Sequence, residues 1–153
     1  MYKRQSVPYK TGTTLTLRDG MIGRVYVRFV TDAGIDEMQL SGIAVDKKAP
    51  TKTKIKVNRS GIKTLKTSTK TSYNKKIKKS AKFVFSASYG ISGKSKTQYK
   101  IVPKGKKASK YRWKTANKIT YKKKNKKVSI YARFIDKCGN ITQRKSSGFY
   151  ITK

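Results

Sequence analysis

The 153-residue chain has no histidine, six acidic residues, three prolines and one cysteine. Each shortage excludes a chemistry. Without histidine there is no Ser–His or Cys–His couple to activate a nucleophile. Cys138, being alone, can close neither an intrachain disulfide nor a thiolate metal cage. Beyond residue 46 a single carboxylate remains, Asp136, so paired-carboxylate acid/base catalysis is excluded there. No apolar run approaches the ~20 residues needed to cross a bilayer, and no signal peptide is visible. The expectation is a protein that is not an enzyme and that needs no cofactor and no metal.

Lysine is what the chain has in excess. Forty bases face six acids, a net charge of +34, and 32 of the bases are lysine. They are unevenly placed. Residues 1–46 hold six bases and five acids, whereas residues 47–153 hold 34 bases and Asp136 alone, a net of +33. So large an asymmetry divides the chain into two units, one of which faces anions. Lysine is a hydrated point charge on a flexible stem, suited to diffuse, salt-sensitive attraction rather than forked recognition. The candidate polyanion-binding residues are Lys75, Lys76, Lys78 and Lys79, then Lys104, Lys106, Lys107 and Lys110, then Lys122, Lys123, Lys124, Lys126 and Lys127. The competing reading for any single lysine is a solvated face. For the ensemble that reading weakens, because self-repulsion at +33 destabilises a fold unless counter-anions screen it.

A repeat organises the rest. Arg24–Val30 aligns with Ser129–Ile135, matching Tyr26 to Tyr131, Arg28 to Arg133 and Phe29 to Phe134, with Gly34 opposite Gly139. Tyr9–Leu17 aligns with Trp113–Tyr121, and Ser41–Val45 with Ser147–Ile151, each with one gap. The period is that of a small domain. Residues 6–46 therefore read as the last strands of a module whose first half is missing, residues 47–50 as a linker, and residues 51–153 as a complete, strongly basic module. The end of the chain falls at a module edge, which suggests a true C-terminus. Met1–Gln5 resembles the in-frame translation of a transposase adapter used in preparing sequencing libraries, with a natural basic terminus as the alternative, and is left out of fold reasoning.

Periodicity within the modules is two. Phe83 and Phe85 alternate with Lys82, Val84 and Ser86; Tyr99 and Ile101 with Gln98, Lys100 and Val102; Ile119 and Tyr121 with Lys118, Thr120 and Lys122. Val128, Ile130, Ala132 and Phe134 form an inward row opposed by Ser129, Tyr131, Arg133 and Ile135, and Phe149 and Ile151 complete the set. Such rows, separated by Gly, Ser and Asn clusters, predict half-buried antiparallel strands and an all-β, two-sheet sandwich. Arg59–Ser80 has few apolar anchors and reads either as an edge strand or as a mobile basic loop.

The series Ser92-Gly93, Gln98-Tyr99-Lys100, Trp113 and Ile130–Asn140, with its Asp136-Lys137-Cys138-Gly139-Asn140 turn and the Val45-Asp46-Lys47-Lys48-Ala49-Pro50 linker, resembles the bacterial immunoglobulin-like repeats of Gram-positive surface and secreted proteins. Cys138 stands where that family usually has alanine, and the first module's turn, Thr31–Ile35, lacks the asparagine. The resemblance implies an immunoglobulin-like sandwich in tandem with neighbouring modules, an extracellular location at the cell wall or surface, and a spacer or adhesion role with no shared active site. Independently of family, Gly139 suits a positive φ, Asn140 tolerates left-handed geometry and the Asp136 carboxylate can accept turn amides. The alternative, Asp136 as a calcium ligand, is disfavoured by the surrounding cations. Gly93-Lys94-Ser95 lacks the first glycine of a phosphate loop. Asn58-Arg59-Ser60 and Asn140-Ile141-Thr142 fit glycosylation acceptors, a match common by chance.

Three partners follow for the basic module: anionic cell-wall polymers of the teichoic-acid kind, anionic host glycans, or nucleic acid. The last is expected to be non-specific, since no nucleic-acid motif accompanies the charge. An accessory domain of a secreted carbohydrate-active enzyme or protease is a further alternative.

Overall fold

The computed structural model describes residues 11–12, 14–58 and 60–153. The adapter-like Met1–Gln5, Tyr9 and Lys10 of the repeat, and Arg59 lie outside the described residues. The chain divides into two compact units, residues 1–47 and 48–153.

The first unit is built on a hairpin of β1 (Ile22–Thr31) and β2 (Gly34–Ala44), antiparallel and joined through Asp32 and Ala33. Gly34, at φ +145°, takes the backbone geometry the tight turn needs. Across the strands the Arg28 guanidinium donates to the Glu37 carboxylate at 2.6 and 2.8 Å. The Asp19 carboxylate accepts the Lys47 amide at 2.8 Å and closes the base of the unit.

The second unit is a sandwich of two sheets. The smaller contains β3 (Thr51–Val57), β4 (Ser60–Gly61), β7 (Ala81–Ser88) and β10 (Lys118–Tyr121), in the order β10-β7-β3-β4. The larger contains β5 (Thr64–Leu65), β6 (Lys75–Lys78), β8 (Lys94–Pro103), β9 (Lys114–Thr115), β11 (Val128–Asp136), β12 (Ile141–Ser146) and β13 (Phe149–Thr152). At its centre β11 pairs with β8 along one edge and with β12 and then β13 along the other. All named pairings are antiparallel except β6 with β13. The only helical element among the described residues is a single 3-10 turn at Ala108–Lys110. Among the described residues no helix is long and apolar enough to cross a membrane.

Alternation explains the core. Ile55 and Val57 on β3, with Phe83 and Phe85 on β7, face Ile130, Ala132 and Phe134 on β11 and Phe149 and Ile151 on β13 across the interlayer. Phe83 and Phe149 lie with ring centroids 4.9 Å apart, and Tyr121 meets Phe149 edge-on at 5.7 Å. The two faces of the larger sheet are less different than alternation predicts. Ser129, Val102 and Ile135, expected on the solvent side, are all buried. Val102 and Ser129 are register partners on that outer face. On the same face, segments distant in the chain lie against Tyr131, Lys100 and Arg133, described next.

Candidate polyanion interface

Residues 60–80 form short strands joined by turns rather than an uninterrupted loop. β5 adds to the edge of β12, and β6 runs beside β13 with Ile77 buried as its anchor. Between them Tyr73 docks on Gly148: the Gly148 amide donates to the Ser72 carbonyl at 2.7 Å, and a Cβ at Gly148 would overlap the Tyr73 ring. Sequence reasoning missed this pairing, because Gly148 has an ordinary φ and its need for glycine comes from close approach, not from a turn.

A second covering segment follows β8. The Lys100 ammonium crosses it, donating to the Ala108 carbonyl at 2.6 Å and lying 4.5 Å from the Trp113 ring centroid. The Arg133 guanidinium lies 4.7 Å from the same ring while donating to Gln98 at 2.6 Å. In register along one row, β12 supplies Lys145, β11 supplies Tyr131 and β8 supplies Lys100. Cation and aromatic thus alternate across the sheet, with Lys145 5.9 Å from the Tyr131 ring. Burial lowers the pKa of Lys145, and lowers that of Lys100 with help from the nearby Arg133 charge. Burial raises the Tyr131 phenol, with Tyr73 adding to it, and raises Tyr121 by desolvation alone.

The predicted lysine clusters come from distant stretches, and the fold gathers them around the last strand. Lys75, Lys76 and Lys78 line β6 on one side of β13, and the Lys79 amide reaches the Thr152 carbonyl. On the other side Lys124 bridges to Ile151, and Asn125 at φ +54° turns its amide onto the Ile151 carbonyl at 2.9 Å. The Lys104 amide donates to the Lys127 carbonyl at 2.9 Å, which ties the second lysine cluster to the third. All of these lysine side chains are exposed.

Where β8 and β10 approach, a cleft of about 670 Å³ opens, floored by Ile101, Tyr121 and Val128. Four of the predicted residues, Lys104, Lys123, Lys126 and Lys127, line it, together with Lys114 and Tyr111, which sequence reasoning did not single out. Lys106, Lys107 and Lys110 lie on the exposed turn and 3-10 segment and do not line the cleft, nor do Lys75, Lys76, Lys78, Lys79, Lys122 and Lys124. An open, lysine-rimmed cleft with an apolar floor can hold an anionic polymer by charge while covering one apolar face of it. Its titratable lining side chains are lysines and tyrosines.

The Asp136–Asn140 turn is a closed hydrogen-bond unit. Asp136 is buried; its carboxylate accepts the Asn140 backbone amide at 2.8 Å and the Asn140 side-chain amide at 2.9 Å. The positive φ of this turn belongs to Gly139, at +86°, and Asn140 contributes as a donor instead. No family model, curated protein or solved structure matches the chain.

Proposed function

We propose that residues 48–153 form a non-catalytic, immunoglobulin-like module of an extracellular bacterial surface protein, with the β1–β2 hairpin belonging to the module before it. In this reading the module is a spacer and adhesion unit that holds an anionic cell-wall polymer, of the teichoic-acid kind, along the lysines around β13 and the adjoining cleft. The observation that carries it is that lysines far apart in sequence are gathered near one strand: Lys75, Lys76 and Lys78 lie on β6 along one edge of β13, Lys124 bridges to its other edge, and Lys104 is hydrogen-bonded to Lys127, near Lys124 in the chain. Unpaired cations kept close together store repulsion that a polyanion relieves, and the release of the polymer's counterions adds the entropy of binding.

The test is retention on isolated Gram-positive cell walls across a salt gradient, with the chain carrying Lys104→Gln, Lys123→Gln, Lys126→Gln and Lys127→Gln alongside. Retention at low salt with release at high salt is expected, and the slope of log K against log salt should shrink by about 0.7–0.9 per lysine removed. Salt-independent retention, or a slope unchanged in the variant, would refute the electrostatic reading. Preference for a sulfated glycan at equal charge density would move the partner from the wall to a host surface, and sequence preference for a nucleic acid at physiological salt would replace both.

A further inference from the structure

The β1–β2 hairpin leaves a large apolar face uncovered. Val25, Val27 and Phe29 share one side of β1, and their register partners Leu40 and Met38 extend that side across β2. Phe29 and Met38 are each 53% exposed and Leu40 48%. Val25 and Val27 are half-buried, and on the opposite side Tyr26, Val30 and Ile35 are 49%, 71% and 63% exposed; a two-stranded ribbon so open is marginal in water by itself.

The same pairing recurs, covered, in the second unit. Tyr26 pairs with Gln39, Val27 with Met38, Arg28 with Glu37, Phe29 with Asp36 and Val30 with Ile35. On β11 and β12, Tyr131 pairs with Lys145, Ala132 with Arg144, Arg133 with Gln143, Phe134 with Thr142 and Ile135 with Ile141. The β1 and β11 positions are those the sequence repeat equates, and with one more residue in the second turn the two hairpins keep the same register over five successive pairs. Yet Ile130, Ala132 and Phe134, the counterparts of Val25, Val27 and Phe29, are 0% exposed, packed in one cluster with Ile55, Val57, Phe83 and Phe85 of β3 and β7.

We infer that the Val25–Val27–Phe29 face is a docking surface for a β-layer of the β3–β7 kind: two antiparallel strands presenting an Ile/Phe row, supplied by the polypeptide next to this hairpin in its module. The inference rests on the module reading but not on polyanion binding. Equal register fixes the spacing of the apolar knobs, so a layer that fits Ile130, Ala132 and Phe134 meets the same spacing on the first hairpin. Where β12 carries Arg144 and Ser146, β2 carries Met38 and Leu40, so this face is the more apolar of the two there, while Asp36 stands opposite Phe29 where β12 has Thr142.

The experiment grafts a second copy of residues 51–112 directly ahead of Tyr9 in the full chain, the junction the repeat defines. Amide exchange at Val25, Val27 and Phe29 should slow by about tenfold or more as the face is covered, and binding of an apolar-surface dye should fall. A graft of the same composition in scrambled order should do neither. Exchange unchanged by the graft, or equally slowed by the scrambled one, overturns the inference. So does protection of the hairpin in the ungrafted chain that rises with its concentration, which would make the occupant a second copy. Should the graft aggregate, Phe29→Asp with Met38→Asp in the ungrafted chain decides: dye binding falls while the unfolding midpoint of residues 48–153 stays put. Dye binding that does not fall places the dye-binding apolar surface elsewhere and also overturns the inference. Salt-dependent retention on cell walls is independent of every one of these outcomes.

Discussion

Two side chains show how much stability rests on close approach and on buried polar pairing. Gly148 has no room for a Cβ because the Tyr73 ring and the Ser72 carbonyl lie against it. Gly148→Ala is expected to cost about 1–3 kcal/mol, as overpacking does. Urea denaturation of Tyr73→Ala, Gly148→Ala and the double variant measures it: the double variant should lose less than the sum of the single changes, since the ring's share of the clash goes while the Ser72 carbonyl's share stays. Asp136 is buried, and its carboxylate is held by the Asn140 amides. Asp136→Ala leaves those donors without their acceptor and should cost about 1–3 kcal/mol by the same assay. Loss of a bound cation has no part in that expectation, because the carboxylate is already engaged within its turn.

At the scale of the element, the outer face of the larger sheet is a row of cations and rings rather than a row of pairs. Lys145 is 5% exposed, with the Tyr131 ring 5.9 Å from its ammonium. A charged group covered in this way is costly, so its pKa is lowered by desolvation. Below pH 10.5 the unfolded chain then binds more protons than the folded one, and this contribution to stability rises with pH until it levels off above 10.5. Tyr131 and Tyr121 act oppositely. Their raised phenols mean that the unfolded chain loses protons first, so their contribution falls as pH climbs above 10.0. Lys145→Met keeps the length of the stem and removes the charge. It is expected to raise the thermal midpoint by roughly 2–5 °C at neutral pH and to erase the lysine's share of the alkaline rise while leaving the tyrosine-driven fall. Urea titrations from about pH 8 to 11 read both effects. A midpoint that drops would mean the contact with Tyr131 outweighs desolvation.

For the whole molecule the governing quantity is the net charge of +33 on residues 47–153. Lysines crowded on both sides of β13 repel at distances within the Debye length, about 10 Å at 0.1 M salt and 3 Å at 1 M. The thermal midpoint of the second unit should therefore climb as sodium chloride is raised over that range. A soluble polyphosphate should raise it further at equal ionic strength, because an anion that binds only the folded state stabilises it by mass action. Calorimetry with and without the polyanion separates the two contributions. Equal midpoints at matched ionic strength would show screening alone. The hairpin of the first unit, with its near-neutral charge, should respond to neither.

Strand positions and the inner row were legible because period-two alternation is a local property: Phe83, Phe85, Ile130, Ala132 and Phe134 each announce a face by their immediate neighbours. The sheer excess of lysine, and its confinement to one unit, are also settled by sequence, since charge adds up without regard to fold. Three things were not. The pairing of Val102 with Ser129, the docking of Tyr73 on Gly148 and the placing of β6 and Lys124 along opposite edges of β13 all join residues distant in the chain. The cleft rimmed by Lys104, Lys114, Lys123, Lys126 and Lys127 is of the same kind. Alternation says which side of a strand is apolar, but only the assembled sheets decide what lies over the other side and which lysines become neighbours. The reason is physical: burial is a property of the space between segments, and no segment carries that information alone.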